Sequence, residues 1–339
     1  MKIAFDQAAL ARRYGVHFMV GLDQEAKGMK LMDRDLAYDA QPQLVTAVNA
    51  GIPTLFTTFV DPAIIEVVLE PLNAAEFYTE TKKGSWVSDT AMFIVAERAG
   101  YVSSYGDFSQ AGRVSANVNY PNRQSYHYQT FTEYGERELA RQAEGRVDWV
   151  NQLNASSLRV MLQFQNDSYL FGVAGLQNYG GVNDPALLAP IAPTYNWTSE
   201  TDPLVIFGDI LRLVQTLVSQ SNGILNAKSP MRMGLSPTNA LNLNKTNQFN
   251  YNVEDQIKKN FPKLEIITIP QFSNPTGGGE LVQLYAPNVM GQKTVESAFT
   301  EKMRAHAVVT KSSSWEQKKS QGTWGTIWYR PIFCAQMLG

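Results

Sequence analysis

A long helical pattern spans residues 135–172, which read GERELARQAEGRVDWVNQLNASSLRVMLQFQNDSYLFG. It contains no proline, and its apolar residues recur every three or four positions, the period of an α-helix. The spacing predicts a helix over about 133–171. At 1.5 Å per residue such a helix would be about 55 Å long, whereas a compact domain of this chain length has a diameter of roughly 50 Å. A helix of that length indicates a rigid span.

Sequence signals at both ends support this helix. Thr130 and Glu133 fit a capping box, and Thr132 is an alternative start. Glu133 precedes Arg137 by four residues, the favourable order for a helical ion pair. Gly172 is placed for a C-terminal cap. Because clean Leu/Ile repeats are missing, the pattern favours the backbone helix of a larger domain over a coiled coil. The predicted packing stripe consists of Leu139, Ala143, Val147, Val150, Leu153, Ser157, Met161 and Phe164.

Composition excludes several classes of protein. The hydrophobic fraction of 44% is enough for a real core, so a wholly disordered chain is not expected. Lys+Arg 29 against Asp+Glu 31 gives a net charge of -2, which argues against a dedicated nucleic-acid binder but not against a protein that encloses nucleic acid. A single cysteine, Cys334, permits no intrachain disulfide. No signal peptide and no apolar run of membrane-spanning length is recognisable, so we expect a soluble protein made in a cytoplasm.

The rest of the chain divides into segments of different residue composition. Residues 1–60 are predicted to be an extended arm, and 77–128 a long polar β excursion rich in aromatic residues and asparagine. Such an excursion suits a surface that meets another chain, where aromatic residues are enriched; a floppy surface loop is the alternative. Strands and helices alternate over about 201–305, which predicts an α/β domain. Within it, Asp202 as N-cap with Pro203 at the first helical position predicts the start of a helix, Ser236 with Pro237 opens a short helix, and Asn252 can cap another. The last stretch reads as a long strand interrupted at Pro331.

A search for chemistry finds no motif of a known reaction. There is no phosphate-binding Walker loop, nucleophile elbow or zinc-protease signature. Glu136 and Glu138 resemble an acid/base pair, but carboxylates near arginines on a helix more often form a solvated face. His17, His127 and His306 are scattered, and Cys334 lies in an apolar terminal strand, where a buried inert thiol is the default. We therefore predict no catalytic, cofactor-binding or metal-ligating residue.

The order of elements resembles the major capsid protein of tailed phages with the Hong Kong 97-type fold. Three stretches carry the resemblance: FTEYGERELARQAEGR (131–146), YLFGVAGLQNYGGV (169–182) and SPMRMGLSPTNALNL (229–243). Tyr329, Arg330 and Pro331 resemble a short motif of the family's final peripheral strand. With the helix residues Leu153 and Gly172, these three are our predicted structural and assembly residues.

That resemblance implies an α+β fold with named parts. Residues 1–60 would be the N-terminal arm and 77–128 the extended E-loop. Residues 61–76, 129–200 and 306–339 would form the peripheral domain with its spine helix, and 201–305 the axial domain. Two family features are not carried over. If Met1 is the native start, the scaffolding segment that precedes the arm in some members is missing, and we expect assembly with a separate scaffold or none. No register is assigned for the lysine–asparagine cross-link of other members.

The function implied is that of a coat protein without catalysis or cofactor. Copies would assemble through pentamers and hexamers into an icosahedral shell around double-stranded DNA. Expected partners are other copies, a separate scaffold and a portal protein, non-specifically contacted DNA and a decoration protein, but no membrane. The virion is the expected location. An encapsulin-like cellular nanocompartment shell is the alternative of the same fold, and a soluble α/β hydrolase or binding protein is the alternative of another class.

Overall fold

Two four-stranded sheets organise the part of the chain that the structure describes. This structure, a computed structural model, describes residues 71–145, 148–199, 202–246, 252–275 and 279–339, all within one compact unit. The arm predicted over residues 1–60 lies outside the described residues, and so does His17. Residues 61–70 of the predicted peripheral domain and Val147 of the predicted stripe also lie outside the described residues.

The helices and strands have the following bounds. The helices are α1 Ala74–Tyr78, α2 Glu136–Gly145, α3 Trp149–Phe171, α4 Pro203–Gln220, α5 Pro237–Asn242 and α6 Val253–Asn260. The strands in the first half are β1 Glu80–Lys82, β2 Thr90–Met92, β3 Val95–Tyr101, β4 Arg113–Asn119, β5 Asn122–Gln124, β6 Tyr126–Gly135, β7 Gly172–Val173 and β8 Asn178–Tyr179. Those in the second half are β9 Met231–Leu235, β10 Leu264–Thr268, β11 Leu281–Tyr285, β12 Asn288–Val289, β13 Gln292–Lys293, β14 Val295–Thr310, β15 Ser314–Trp328 and β16 Cys334–Leu338.

The first sheet has the strand order β1-β14-β15-β6 and carries the long helix α3. Strand β15 pairs antiparallel with β14 on one side and with β6 on the other, and β1 adds in parallel at the β14 edge. Strand β14 has several register shifts along β15, and such bulges bend a strand and increase its twist.

The prediction of one helix over 133–171 is wrong at its beginning and in its continuity. Residues up to Gly135 belong to β6, and the helical part consists of α2 and α3. A second helix, α3, begins after Asp148, whose side chain caps it by accepting a hydrogen bond from the Asn151 amide. With 23 residues α3 is about 34 Å long. The predicted capping box is wrong because Thr130 and Glu133 both lie in β6, which pairs with β15, so long-range strand pairing overrode a local helix signal.

The second sheet has the order β10-β9-β11-β16 and is covered by α4. The predicted start of α4 is confirmed: Asp202 accepts from the Leu204 amide, and Pro203 occupies the first turn. Ser236 and Asn252 likewise cap α5 and α6 as predicted. Strands β9 and β10 run parallel, with α5 and α6 between them in the sequence, so the α/β character predicted for this region is confirmed. The buried core here includes Ile206, Ile210, Leu213, Leu217, Met233 and Leu284.

Two predicted domain boundaries need correction. Strand β14 runs unbroken through the boundary placed between residues 305 and 306, because its pairing with β15 continues on both sides. The closing segment does break at Pro331, as predicted, but it then changes sheets. Strand β16 pairs with β11 in the second sheet, so 306–339 is not confined to one sheet.

The excursion predicted over 77–128 is also shorter than expected. Phe77 and Tyr78 are fully buried in an aromatic cluster with Tyr285 of the second sheet and Trp328 of the first. Strand β1 and the whole of β6 belong to the first sheet. The segment outside both sheets therefore runs from Lys83, which follows β1, to Ser125, which precedes β6.

Candidate assembly surface

An exposed β-hairpin forms the centre of the extended segment. Strands β3 and β4 pair antiparallel from Val95–Asn119 to Tyr101–Arg113, and every residue of β4 is exposed. Isolated apolar side chains on a surface are normal, whereas a concentration of them marks an interaction site. Here Val102, Tyr105 and Phe108 are 95%, 92% and 100% exposed. No residue that the structure describes covers them, so the hairpin is suited to contact another chain.

The hairpin is fixed firmly where it leaves the first sheet. The Trp324 indole donates to the Lys83 carbonyl at 2.9 Å, and Gly84 turns the chain with a φ of 69°. Trp86 then packs edge-on against His127, with the ring centroids 4.7 Å apart. At the other end the Ser125 amide donates to the Asp89 carbonyl at 2.9 Å. These contacts anchor the two ends of the segment to the sheet and to each other.

A cationic cleft lies beside these anchors. Glu296 is 2% exposed and accepts hydrogen bonds from Lys83, Lys293 and the Tyr329 hydroxyl. Burial alone would raise the pKa of Glu296, but these three donors outweigh it and hold the pKa at about 2. Burial and the bond to Glu296 together raise the pKa of Tyr329. The cavity has a volume of about 640 Å³, and its walls are Thr81, Lys82, Lys83, Phe93, Ile94, Val95, Ala96, Gln292, Lys293, Glu296, Tyr329 and Arg330.

The three residues of the Tyr329–Arg330–Pro331 motif have separate structural tasks. Tyr329 bonds Glu296, and Arg330 donates to the Val289 carbonyl at 3.1 Å and to the Gln292 side chain. Pro331 opens a short 3₁₀ turn, Pro331–Phe333, that carries the chain from β15 to β16. The motif therefore lines the cleft and joins the two sheets.

The contact between α3 and the first sheet is largely polar, which the apolar stripe did not predict. Gln165 donates to Glu80 (3.0 Å) and accepts from Gln321 (2.5 Å). Lys319 is 3% exposed, and its ammonium donates to Asn154 and Ser157, each at 2.6 Å. Burial lowers the pKa of Lys319. Hydrogen bonds between these polar groups therefore fix the position of the helix on the sheet.

Leu153 and Gly172 lie at different points of α3. Leu153 is only half-buried, whereas Met161 on the predicted stripe is 1% exposed. Gly172 ends the helix with a φ of 68°, and its amide donates to the Ser168 carbonyl. A Cβ atom at this position would lie 2.3 Å from the Asn178 carbonyl oxygen. The structure therefore brings Tyr329 and Arg330 together in the cleft, but neither Leu153 nor Gly172 is among the residues that line it.

The cysteine and two of the histidines that were considered as candidates for chemistry are buried or make contacts that support the fold. Cys334 is buried, and burial raises the pKa of its thiol. His127 and His306 contact Thr300 and Ser320, respectively. No cluster of three or more metal-ligating side chains occurs among the described residues. Within the same ranges, no helix is long and apolar enough to cross a membrane.

Several solved structures are similar to this chain, and two of the following three are described as capsids. The capsid of Myoviridae phage XM1 is similar with a TM-score of 0.74 at 11% identity, covering 86% of this chain and 100% of that one. A structure from Gordonia phage Cozz gives 0.59 at 9% identity, with 88% and 97% covered. The capsid of the empty GTA particle gives 0.56 at 10% identity, with 86% and 99% covered. The fold is therefore the α+β fold of tailed-phage capsids, of the Hong Kong 97 type.

The sequence identifies the family itself. The family described as Pa193 gp26 major capsid protein matches residues 43–339, which is most of the chain. This chain belongs to that family and is a major capsid protein of a tailed phage, so its place is the virion and its partners include other copies of itself. Among curated proteins, none matches the sequence significantly.

Proposed function

We propose that this capsid protein assembles through pentamers and hexamers into an icosahedral shell around double-stranded DNA, and that it does so without catalysis. The observation that carries the proposal is the hairpin of β3 and β4, whose apolar tip has no cover among the described residues. A subunit that exposes such a surface gains apolar burial by association, at about 25 cal/mol per Å². In this proposal the hairpin is the E-loop, and it lies over a neighbouring subunit.

The two sheets correspond to the two domains of the proposal. The first sheet with α3 forms the peripheral domain, and the second sheet with α4 forms the axial domain that points toward the capsomer axis. The cleft and the contacts of Trp86 fix the hairpin relative to the peripheral sheet. In this proposal residues 1–60 would form an arm that bridges adjacent subunits. Leu153, Gly172 and the motif at 329–331 would serve assembly by keeping the subunit rigid.

Further partners follow from the role of a shell. A separate scaffold and a portal protein would guide assembly in the cytoplasm of the bacterial host, and a decoration protein would bind outside. The net charge of -2 supports loose, non-specific contact with DNA, because a strongly basic wall would bind the packaged genome tightly.

Replacing residues 95–119 with an Asn-Gly turn tests the proposal. The variant keeps both sheets, so we expect a soluble subunit with wild-type circular dichroism and thermal unfolding that forms no shells under the electron microscope. A second variant replaces only Val102, Tyr105 and Phe108 with serine. It keeps the backbone of the hairpin but loses the apolar side chains of its tip, so it should also assemble poorly. Normal shells from the truncated variant would refute the role of the hairpin.

The contents of the particles separate the phage shell from a nanocompartment. Particles purified from infected cells should contain double-stranded DNA that is protected from added nuclease. Particles filled with a protein cargo and free of nucleic acid would contradict the proposal.

A further inference from the structure

The cleft beside Glu296 has an unbalanced charge. Lys82, Lys83, Lys293 and Arg330 line it, while Glu296 is the one carboxylate in its wall. Glu296 already accepts from two of these ammonium groups. Arg330 donates only to a carbonyl and an amide oxygen, and Lys82 has no anionic partner among the described residues. The cleft therefore presents a surplus of positive charge next to an apolar wall formed by Phe93, Ile94 and Val95.

The tip of the hairpin has the complementary character. Its loop, residues 102–112, carries Asp107 as its single charged side chain. Phe108, the next residue, is 100% exposed, and the Tyr105 hydroxyl donates to Asp107 at 2.9 Å. The tip thus combines one carboxylate with apolar rings, and the cleft combines surplus cations with an apolar wall.

We propose that the hairpin tip of one copy docks into the cleft of the next copy, with Asp107 facing Lys82 and Arg330 and with Phe108 against Phe93 and Ile94. The proposal rests on the assembly proposed above and names the partner of the hairpin. The cavity of about 640 Å³ lies within the size range of pockets that bury most of a drug-sized ligand. A contact between two different surfaces of identical subunits is head-to-tail, and head-to-tail contacts form rings when the rotation between neighbouring subunits closes.

Engineered cysteines test the contact in assembled shells. A disulfide requires Cα atoms about 4.4–6.8 Å apart, and the native Cys334 is buried and will stay silent. The variant Asp107→Cys/Lys82→Cys should give a ladder of linked subunits on a non-reducing gel after mild oxidation. Each single variant serves as the control and should remain monomeric on the gel.

The pair Glu138→Cys/Lys82→Cys tests whether an acidic side chain of α2, where Glu138 is exposed, occupies the cleft instead of the hairpin tip. A ladder from this pair without one from the first would overturn Asp107 as the occupant. Shells that form normally but give no ladder with either pair would overturn the cleft as a contact. If the wild-type protein forms no shell at all, the assembly proposal itself fails, and that result is distinct from the other two.

Charge exchange gives an independent readout. Asp107→Lys should raise the concentration needed for assembly by about tenfold or more, the equivalent of one lost ion pair of about 1.4 kcal/mol. Adding Lys82→Asp should restore most of that loss. Asp255→Lys, which reverses an exposed aspartate on α6, is the matched control and should leave assembly unchanged. Equal effects of the two aspartate reversals, or no rescue, would contradict the docking.

Discussion

Gly172, at the end of the long helix, offers a quantitative test of the structure. Its φ of 68° and ψ of -164° lie in a region that is essentially restricted to glycine. An alanine there would place its Cβ 2.3 Å from the Asn178 carbonyl oxygen and 2.7 Å from the Tyr179 carbonyl carbon. Backbone strain of about 1–3 kcal/mol adds to overpacking of about 1–3 kcal/mol. Gly172→Ala should therefore lower the free energy of unfolding by about 2–6 kcal/mol.

The matched control is Gly175→Ala in the turn that follows. Gly175 also has a positive φ, 83°, but a Cβ there would meet nothing within 4 Å. This variant should lose only the cost of a left-handed alanine, about 1–2 kcal/mol. Urea unfolding of the unassembled subunit, followed by circular dichroism, measures both losses. Equal destabilisation by the two substitutions would refute the close approach between the helix end and the strand at Asn178.

Three further substitutions test the core and the cleft. Met161→Asp should destabilise the subunit strongly in thermal unfolding and Leu153→Asp far less, because Met161 is 1% exposed and Leu153 is half-buried; a larger loss from Leu153→Asp would contradict the orientation of α3. Since the pKa of Glu296 is about 2, below its usual value, its contribution is present above about pH 4.5 and is lost as the pH falls toward 2. Glu296→Gln should therefore lower the free energy of unfolding by at most about 3 kcal/mol at pH 7. A difference in this free energy between variant and wild type that stays constant down to pH 2.5 would contradict the ion cluster.

Local signals in the sequence predicted the second sheet and its helices well. Asp202 before Pro203, Ser236 before Pro237, and Asn252 all cap the helices expected from them. Side chains that satisfy the first amides of a helix act within a few residues, so such signals can be read without knowledge of the tertiary fold.

Signals that depend on distant partners were misread. Thr130 and Glu133 have the spacing of a capping box, yet both lie in β6, where they are opposite Lys319 and Glu316 of β15. The cleft was missed for the same reason, since Lys83 and Glu296 are far apart in the sequence. Nothing in either local sequence marks a residue whose partner comes from another strand, so only the fold brings them together.

An electron cryo-microscopy map of shells assembled from the full chain would show directly where the β3–β4 hairpin of each copy lies. We expect pentamers and hexamers in which the β3–β4 hairpin of each copy lies on its neighbour and buries Tyr105 and Phe108. A hairpin that stays exposed to solvent in the shell, or a protein that remains monomeric at high concentration in every salt and scaffold condition, would contradict the account.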